Sequence, residues 1–340
     1  MNITERDFGT LSSGQKVTAY ELTNSVDTKV TVIDYGARLV AWEFRGTDIL
    51  LGYDDAANYE KDNKFLGAVV GRFANRIGKG EFVLNGQKFT LDKNDGNNHL
   101  HGGFNGFYQK LWQAEKLPET LKMTVKSPDG ESGYPGNFTA TVSYRLTDNN
   151  ELIMDYAAEC DADTLCNMTN HAYFNLNGHD SGDILGQEMQ ILADSYTWSD
   201  AQSIPDGRIL PVKNTPMDFT QSVAIGAHIN DDYEQLKFAK GYDHNWCVGQ
   251  NGAMKKIAVA KGDKTGICLT VFSDLPGVQF YAGNYLDADL PGKNGTRYAY
   301  RTGFCLETQY YPNCVNIPSF EQAILHRGEI WRSRTVFALA

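Results

Sequence analysis

Three short segments, far apart in the chain, hold most of the side chains able to move protons near neutral pH. They are Asn98-His99-Leu100-His101-Gly102-Gly103, Asn170-His171-Ala172-Tyr173-Phe174-Asn175-Leu176 and Gly303-Phe304-Cys305-Leu306-Glu307-Thr308-Gln309. Together they offer imidazoles, which titrate close to pH 7, and a carboxylate that is a base there. Glu307 lies in a mostly apolar, strand-like run, where a carboxylate is out of place. An unpaired buried carboxylate is costly, so such a residue has a partner, for which Arg301 is available, or a chemical task.

Other chemistries are weighed on the same residues. In an extended stretch His99 and His101 share a side, a spacing by which β-barrel metalloproteins present ligands. A third, acidic ligand is expected a few residues on, and none occurs from Gly102 to Ala114, so no metal is expected and His99 reads as structural. Gly71-Arg72-Phe73-Ala74-Asn75-Arg76-Ile77-Gly78 has neither glycine order of a nucleotide-binding loop, which rejects that reading. The segment around His171 interleaves aromatic and amide residues, which suits a sugar: ring faces pack on C–H surfaces, amides and phenols bond hydroxyls. A core strand with one buried histidine is the alternative. Two glycines after His101 would let a ligand approach the backbone closely.

The elements that must position these groups read as strands. Phe138, Ala140, Val142, Tyr144 and Leu146 alternate with polar residues, as in a half-buried strand. Asp148-Asn149-Asn150 then turns into a second alternating run through Leu152, Met154, Tyr156 and Ala158. Asn85-Gly86 predicts another hairpin, because a type I′ turn needs positive φ at both central residues. Helical periodicity is confined to Asp54–Asp62 and Ile229–Ala239, too little to cover a parallel sheet on both faces. The architecture expected is all-β, a large antiparallel β sandwich with few short helices. No composition shift or internal repeat divides it, so one domain over residues 1–340 is expected. Ser127–Asn137 and Leu290–Gly303 read as surface loops.

Bulk properties narrow the class. Hydrophobic residues at 41% and 33 glycines against 10 prolines give a core with many tight turns rather than a disordered linker. A net charge of −11 opposes a grip on phosphate backbones, so no nucleic acid partner is expected. No long apolar run and no basic, apolar leader occur, which predicts a soluble cytoplasmic protein without membrane association. Cys160, Cys166, Cys247, Cys268, Cys305 and Cys314 stand singly without a Cys-x-x-Cys pair, as buried reduced thiols do.

From about Asp34 to Glu329 the chain resembles the aldose 1-epimerase (galactose mutarotase) family, whose signatures read LHGG, GRxANRI, NHxYFNL, YDH and xExQ. The resemblance implies a two-sheet sandwich with the sugar site in a broad cleft. It implies Glu307 as catalytic base, His171 as general acid, and His101 as a further active-site histidine. Asn75, Arg76, Tyr173, Asp243 and Gln279 are implied sugar contacts, Arg72 a structural residue. Asp243 can accept two hydroxyl hydrogen bonds, although a surface turn would also explain it.

The expected reaction is then interconversion of the α and β anomers of a free hexose, D-galactose or D-glucose, with no cofactor. An ordinary carboxyl of pKa ~4.3 and a histidine near ~6.5 would provide base and acid at pH 7. Two other readings compete: a carbohydrate-binding β sandwich without turnover, and a sugar-phosphate 1-epimerase in which Arg72, Arg76 and Arg301 converge on the phosphate. A binding module needs no matched acid and base, and glycoside hydrolysis needs a second catalytic carboxylate. Protein partners are not legible in the sequence.

Overall fold

Alternate side chains of the Phe138–Leu146 strand are buried, Phe138 through Leu146, because successive residues of an extended chain face opposite sides. In the computed structural model, which describes residues 1–340, this strand pairs with Glu151–Cys160 across the expected turn. Both belong to an antiparallel nine-stranded sheet that runs from Gln113–Leu117 at one edge to Val223–Ala224 at the other. A five-stranded sheet follows the order Pro205–Pro211, Ser195–Ser199, Asp243–Cys247, Gly277–Tyr281, Cys305–Gln309. Another five-stranded sheet is built from the first 48 residues, ending at Thr47–Asp48.

Met154 and Tyr156 of the large sheet, Trp246, Phe280 and Leu306 of the second, and Leu39 and Trp42 of the third belong to one core cluster of 59 buried residues. Burying apolar faces of stacked sheets against one another is what makes the β sandwich stable. Asn85 and Gly86, with φ of 51° and 77°, join Glu81–Leu84 to Gln87–Thr90 as the turn chemistry predicts. The two helices, Ala56–Lys61 and Glu234–Ala239, fall inside the expected spans. The side chain of Asp55 caps the first, accepting from Asn58 N. No helix is long and apolar enough to cross a membrane. All six cysteines are unpaired; Cys247 and Cys268 are partly exposed and the other four buried.

The register of the second sheet decides where the chemistry sits. Asp243 lies opposite Tyr281 and Tyr281 opposite Cys305; in the next row Asn245, Gln279 and Glu307 stand side by side. Opposed residues share a face, so these polar groups crowd one side of the sheet. The intervening Trp246, Val278, Phe280 and Leu306 point into the core. Every residue of Cys305–Gln309 is buried, which explains how an apolar-looking strand carries a carboxylate.

Candidate active site

His171 follows the short Thr169–Asn170 strand, which pairs with Val69–Val70. Its backbone is held on both sides, donating to Ala68 O at 2.8 Å and accepting from Gly67 N at 3.0 Å. Arg76 and His101 come from a two-stranded ribbon in which His99 pairs with Ile77 and Leu100 with Arg76. Asn75 and His101 flank this ribbon in the left-handed region, at φ of 65° and 52°. Gly102 then passes so close to another segment that a Cβ on it would lie 1.8 Å from Gly71 O. Gly102 thus admits neighbouring backbone, where the sequence reading had a ligand approaching.

These segments converge on Glu307. Its Oε1 lies 3.6 Å from His171 Nε2, and its Oε2 has no protein partner although it is buried. The ring centroids of His101 and His171 are 5.2 Å apart, and Phe65 packs against both at 4.8 and 5.7 Å. A cavity of about 170 Å³ is lined by Glu307, His171, His101, Asn75, Arg76, Tyr173 and Asp243. That volume is below the ~300 Å³ at which pockets for drug-sized ligands begin, and suits one small polar ring. A larger depression of about 640 Å³, near Lys79, Asn97 and Gln202, holds none of these groups.

Hydrogen bonds fix what each group offers. Asn75 N donates to His101 Nδ1 at 3.1 Å; since an amide only donates, neutral His101 carries its proton on Nε2. Arg76 Nε is paired with Asp95 Oδ2 at 2.8 Å. Tyr173 lies 5.1 Å from the His171 ring at 31° and gives its hydroxyl hydrogen to Lys64 O. Gln279 does not line the cavity; it stands behind Asp243, donating from Nε2 to Oδ1 at 2.7 Å.

The expected absence of an acidic third ligand holds only along the chain. In space Glu307 joins His101 and His171, with ligand atoms within 4.8 Å of one another. His101 is nevertheless ill suited to bind an ion through Nε2. That would require its proton on Nδ1, directly against the Asn75 amide hydrogen.

Burial also overturns the expectation of ordinary acidities. It pushes Glu307 well above the usual carboxylate range, and the charge of Asp243 adds to this. Burial lowers His171 to about 3 and His101 well below an ordinary histidine. Asp243 is raised by burial, with Arg76 and Gln279 pulling it back. For Arg76, burial opposes the charge but the carboxylates of Asp243 and Asp95 outweigh it, so its pKa is raised. The low-dielectric setting thus favours one shared proton on the Glu307–His171 pair at neutral pH.

Other sequence-derived residues fall outside the cavity. His99 is structural, with Nδ1 2.8 Å from Asp92 O and Nε2 2.6 Å from Tyr134 Oη. Arg72 is used up on Ser127 and the carbonyls of Pro128, Pro135 and Gly136. Arg301 does not pair with Glu307; it donates to Asn230 Oδ1 and Lys240 O. The three arginines therefore do not converge, and Arg76 alone of them reaches the cavity. Phe65, Tyr281 and Tyr285, which also line it, were missed. Tyr281 was within reach, two residues after Gln279 on the same strand face, while Phe65 carries no sequence signal.

Comparison with known proteins covers nearly the whole chain. Residues 18–338 match the family described as aldose 1-epimerase. Galactose mutarotase of Sus scrofa is 38% identical, covering 100% of this chain and 99% of that protein. Aldose 1-epimerase of Escherichia coli K12 is 36% identical, with 95% of each covered. Among solved structures, galactose 1-epimerase from Lactobacillus acidophilus NCFM superposes with a TM-score of 0.89 at 27% identity, over 100% of this chain and 99% of that one.

Proposed function

We propose a division of labour for this site on the premise that the chain belongs to the aldose 1-epimerase family and is an isomerase that interconverts the anomers of aldoses. Glu307 is the base, His171 the acid, and a free hexose, D-galactose or D-glucose, the substrate. The observation that carries this reading is the buried Glu307 carboxyl, with one oxygen 3.6 Å from His171 Nε2 and the other unpartnered at the cavity.

In ring opening, the Glu307 carboxylate takes the proton of the C1 hydroxyl as protonated His171 gives its own to the ring oxygen. The C1–O5 pair leaves with O5 and the C1 carbonyl forms. Rotation about C1–C2 presents the other carbonyl face, and the reverse transfers close the second anomer. The pair holds one proton throughout: on His171 with the ring closed, on Glu307 with the chain open. Burial favours the second arrangement in the free protein. The proton therefore crosses to His171 as sugar hydroxyls bond to Glu307 and stabilise its charge, a transfer that a small closing of the 3.6 Å gap permits.

His101 presents its Nε2–H to a sugar oxygen, while Arg76, Asp243 and Asn75 hold hydroxyls and the Tyr173 ring packs on the C–H face. Gln279 acts on the sugar through Asp243. We also read residues 1–340 as a single domain, supported by a core cluster that spans residues Tyr20 to Leu339. Polarimetry on freshly dissolved α-D-galactose and α-D-glucose, beside their 6-phosphates, tests the reading. Acceleration is expected for the free sugars, and the absence of converging arginines predicts no preference for the phosphates. Binding without acceleration would leave a binding module.

A further inference from the structure

The sheet face that carries Glu307 also carries a row of amides that the reaction does not consume. Gln279 Nε2 donates to Asp243 Oδ1 at 2.7 Å. A carboxylate only accepts, so this bond decides which way the Gln279 amide points, and its Oε1 must face away from Asp243. That oxygen accepts from Gln309 Nε2 at 3.2 Å, and the same Nε2 donates to Asn245 Oδ1 at 3.2 Å. The row therefore has one direction: Gln309 donates, Gln279 passes the polarity on, Asp243 receives it. Reversing the amides would turn Gln279 Oε1 against the carboxylate.

All three amides are buried, with relative exposures of 1% for Asn245, 3% for Gln279 and 0% for Gln309. The arrangement leaves Gln309 Oε1 and Asn245 Nδ2 without protein partners, a cost that a purely structural row would not need to bear. Room is also made for it. A Cβ on Gly277, which stands opposite Gln309, would lie 2.4 Å from Asn245 Oδ1.

We propose that Gln309 is a positioning residue for the sugar: through Gln279 it holds the Asp243 carboxylate in the orientation that receives substrate hydroxyls. This rests on the assignment of Asp243 as a sugar contact. Gln309→Leu removes the donor at similar size and suits the buried surroundings. Gln309→Glu gives a donor while its carboxyl is protonated and only an acceptor once it ionises, so its effect depends on pH.

KM and kcat for D-galactose, measured from acidic to alkaline pH and expressed relative to wild type, separate the outcomes. Gln309→Leu is expected to raise KM about fivefold at every pH, with kcat within about twofold. Gln309→Glu should match wild-type KM at the acidic end and rise above it as pH increases, a response read within one folded protein. Wild-type KM in both variants at all pH values, or a pH-independent loss of kcat alone, would overturn the proposal. Asp243→Ala is measured in parallel. If it leaves KM unchanged, the assignment of Asp243 fails; if it raises KM while both Gln309 variants behave as wild type, only the positioning row fails.

Discussion

His171 Nε2 and Glu307 Oε1 stand 3.6 Å apart in a buried setting, so the two groups titrate as a pair and not as an independent acid and base. The proposed mechanism needs one proton on the pair. A second proton is added only at low pH, because burial lowers His171 to about 3. The shared proton is lost only above the usual carboxylate range, because burial raises Glu307. Activity should therefore hold across the region where an ordinary histidine titrates, falling on the acid side well below pH 6.5. A profile of kcat/KM corrected for spontaneous mutarotation checks this; an acid limb centred near 6.5 would contradict it.

Glu307→Gln keeps shape and polarity but removes the proposed base, and His171→Asn removes the titrating ring while keeping an amide. Each should lower kcat by ~10² to 10⁴ while sugar still binds. The double variant should lose less than the product of the single losses, since groups that act as a unit are not additive. Stopped-flow polarimetry with a separate binding measurement decides it. Near-normal turnover in Glu307→Gln would place the base elsewhere.

Because the Asn75 amide holds Nδ1 of His101 as an acceptor, the two imidazoles and one carboxylate are not poised as a ligand set for an ion. Exhaustive chelation should leave the rate of mutarotation unchanged. A loss of rate that a divalent ion restores would overturn the metal-free mechanism.

Arg76→Ala and Asp243→Ala each remove a charged hydrogen-bonding partner from the cavity wall. A loss of ~1.5 to 3 kcal/mol in transition-state binding is expected for each, read as kcat/KM. The two will not add fully, because each charge stabilises the other. Unchanged kcat/KM in both, with the fold intact, would move the sugar site elsewhere.

Gly102→Ala tests how the backbone sets His101. The new methyl would lie 1.8 Å from Gly71 O at a position with φ of 93°, so a destabilisation of at least ~2 kcal/mol is expected. Activity should fall as well, since His101 is the preceding residue. Thermal melting and kinetics on the same sample check both, and a variant as stable as wild type would show that the contact relaxes.

The local pattern of the sequence determined the elements. The alternation from Phe138 to Leu146, the Asn85-Gly86 turn and the two weak helical stretches each reappear in place, because strand, turn and helix preferences depend on neighbouring residues. The segments bearing His101, His171 and Glu307 were legible for the same reason: their residue types and order are local facts. What those residues do to one another was not. Arg301 was open as a structural partner for Glu307 beside the reading of Glu307 and His171 as base and acid, and His171 is the one found near it. Ordinary acidities were expected, and burial moves both groups in opposite directions. Gln279 was singled out as a sugar contact, and its bond to the neighbouring Asp243 was not foreseen. Desolvation, tautomer and pairing depend on which distant segments are packed together, and only the tertiary structure decides that.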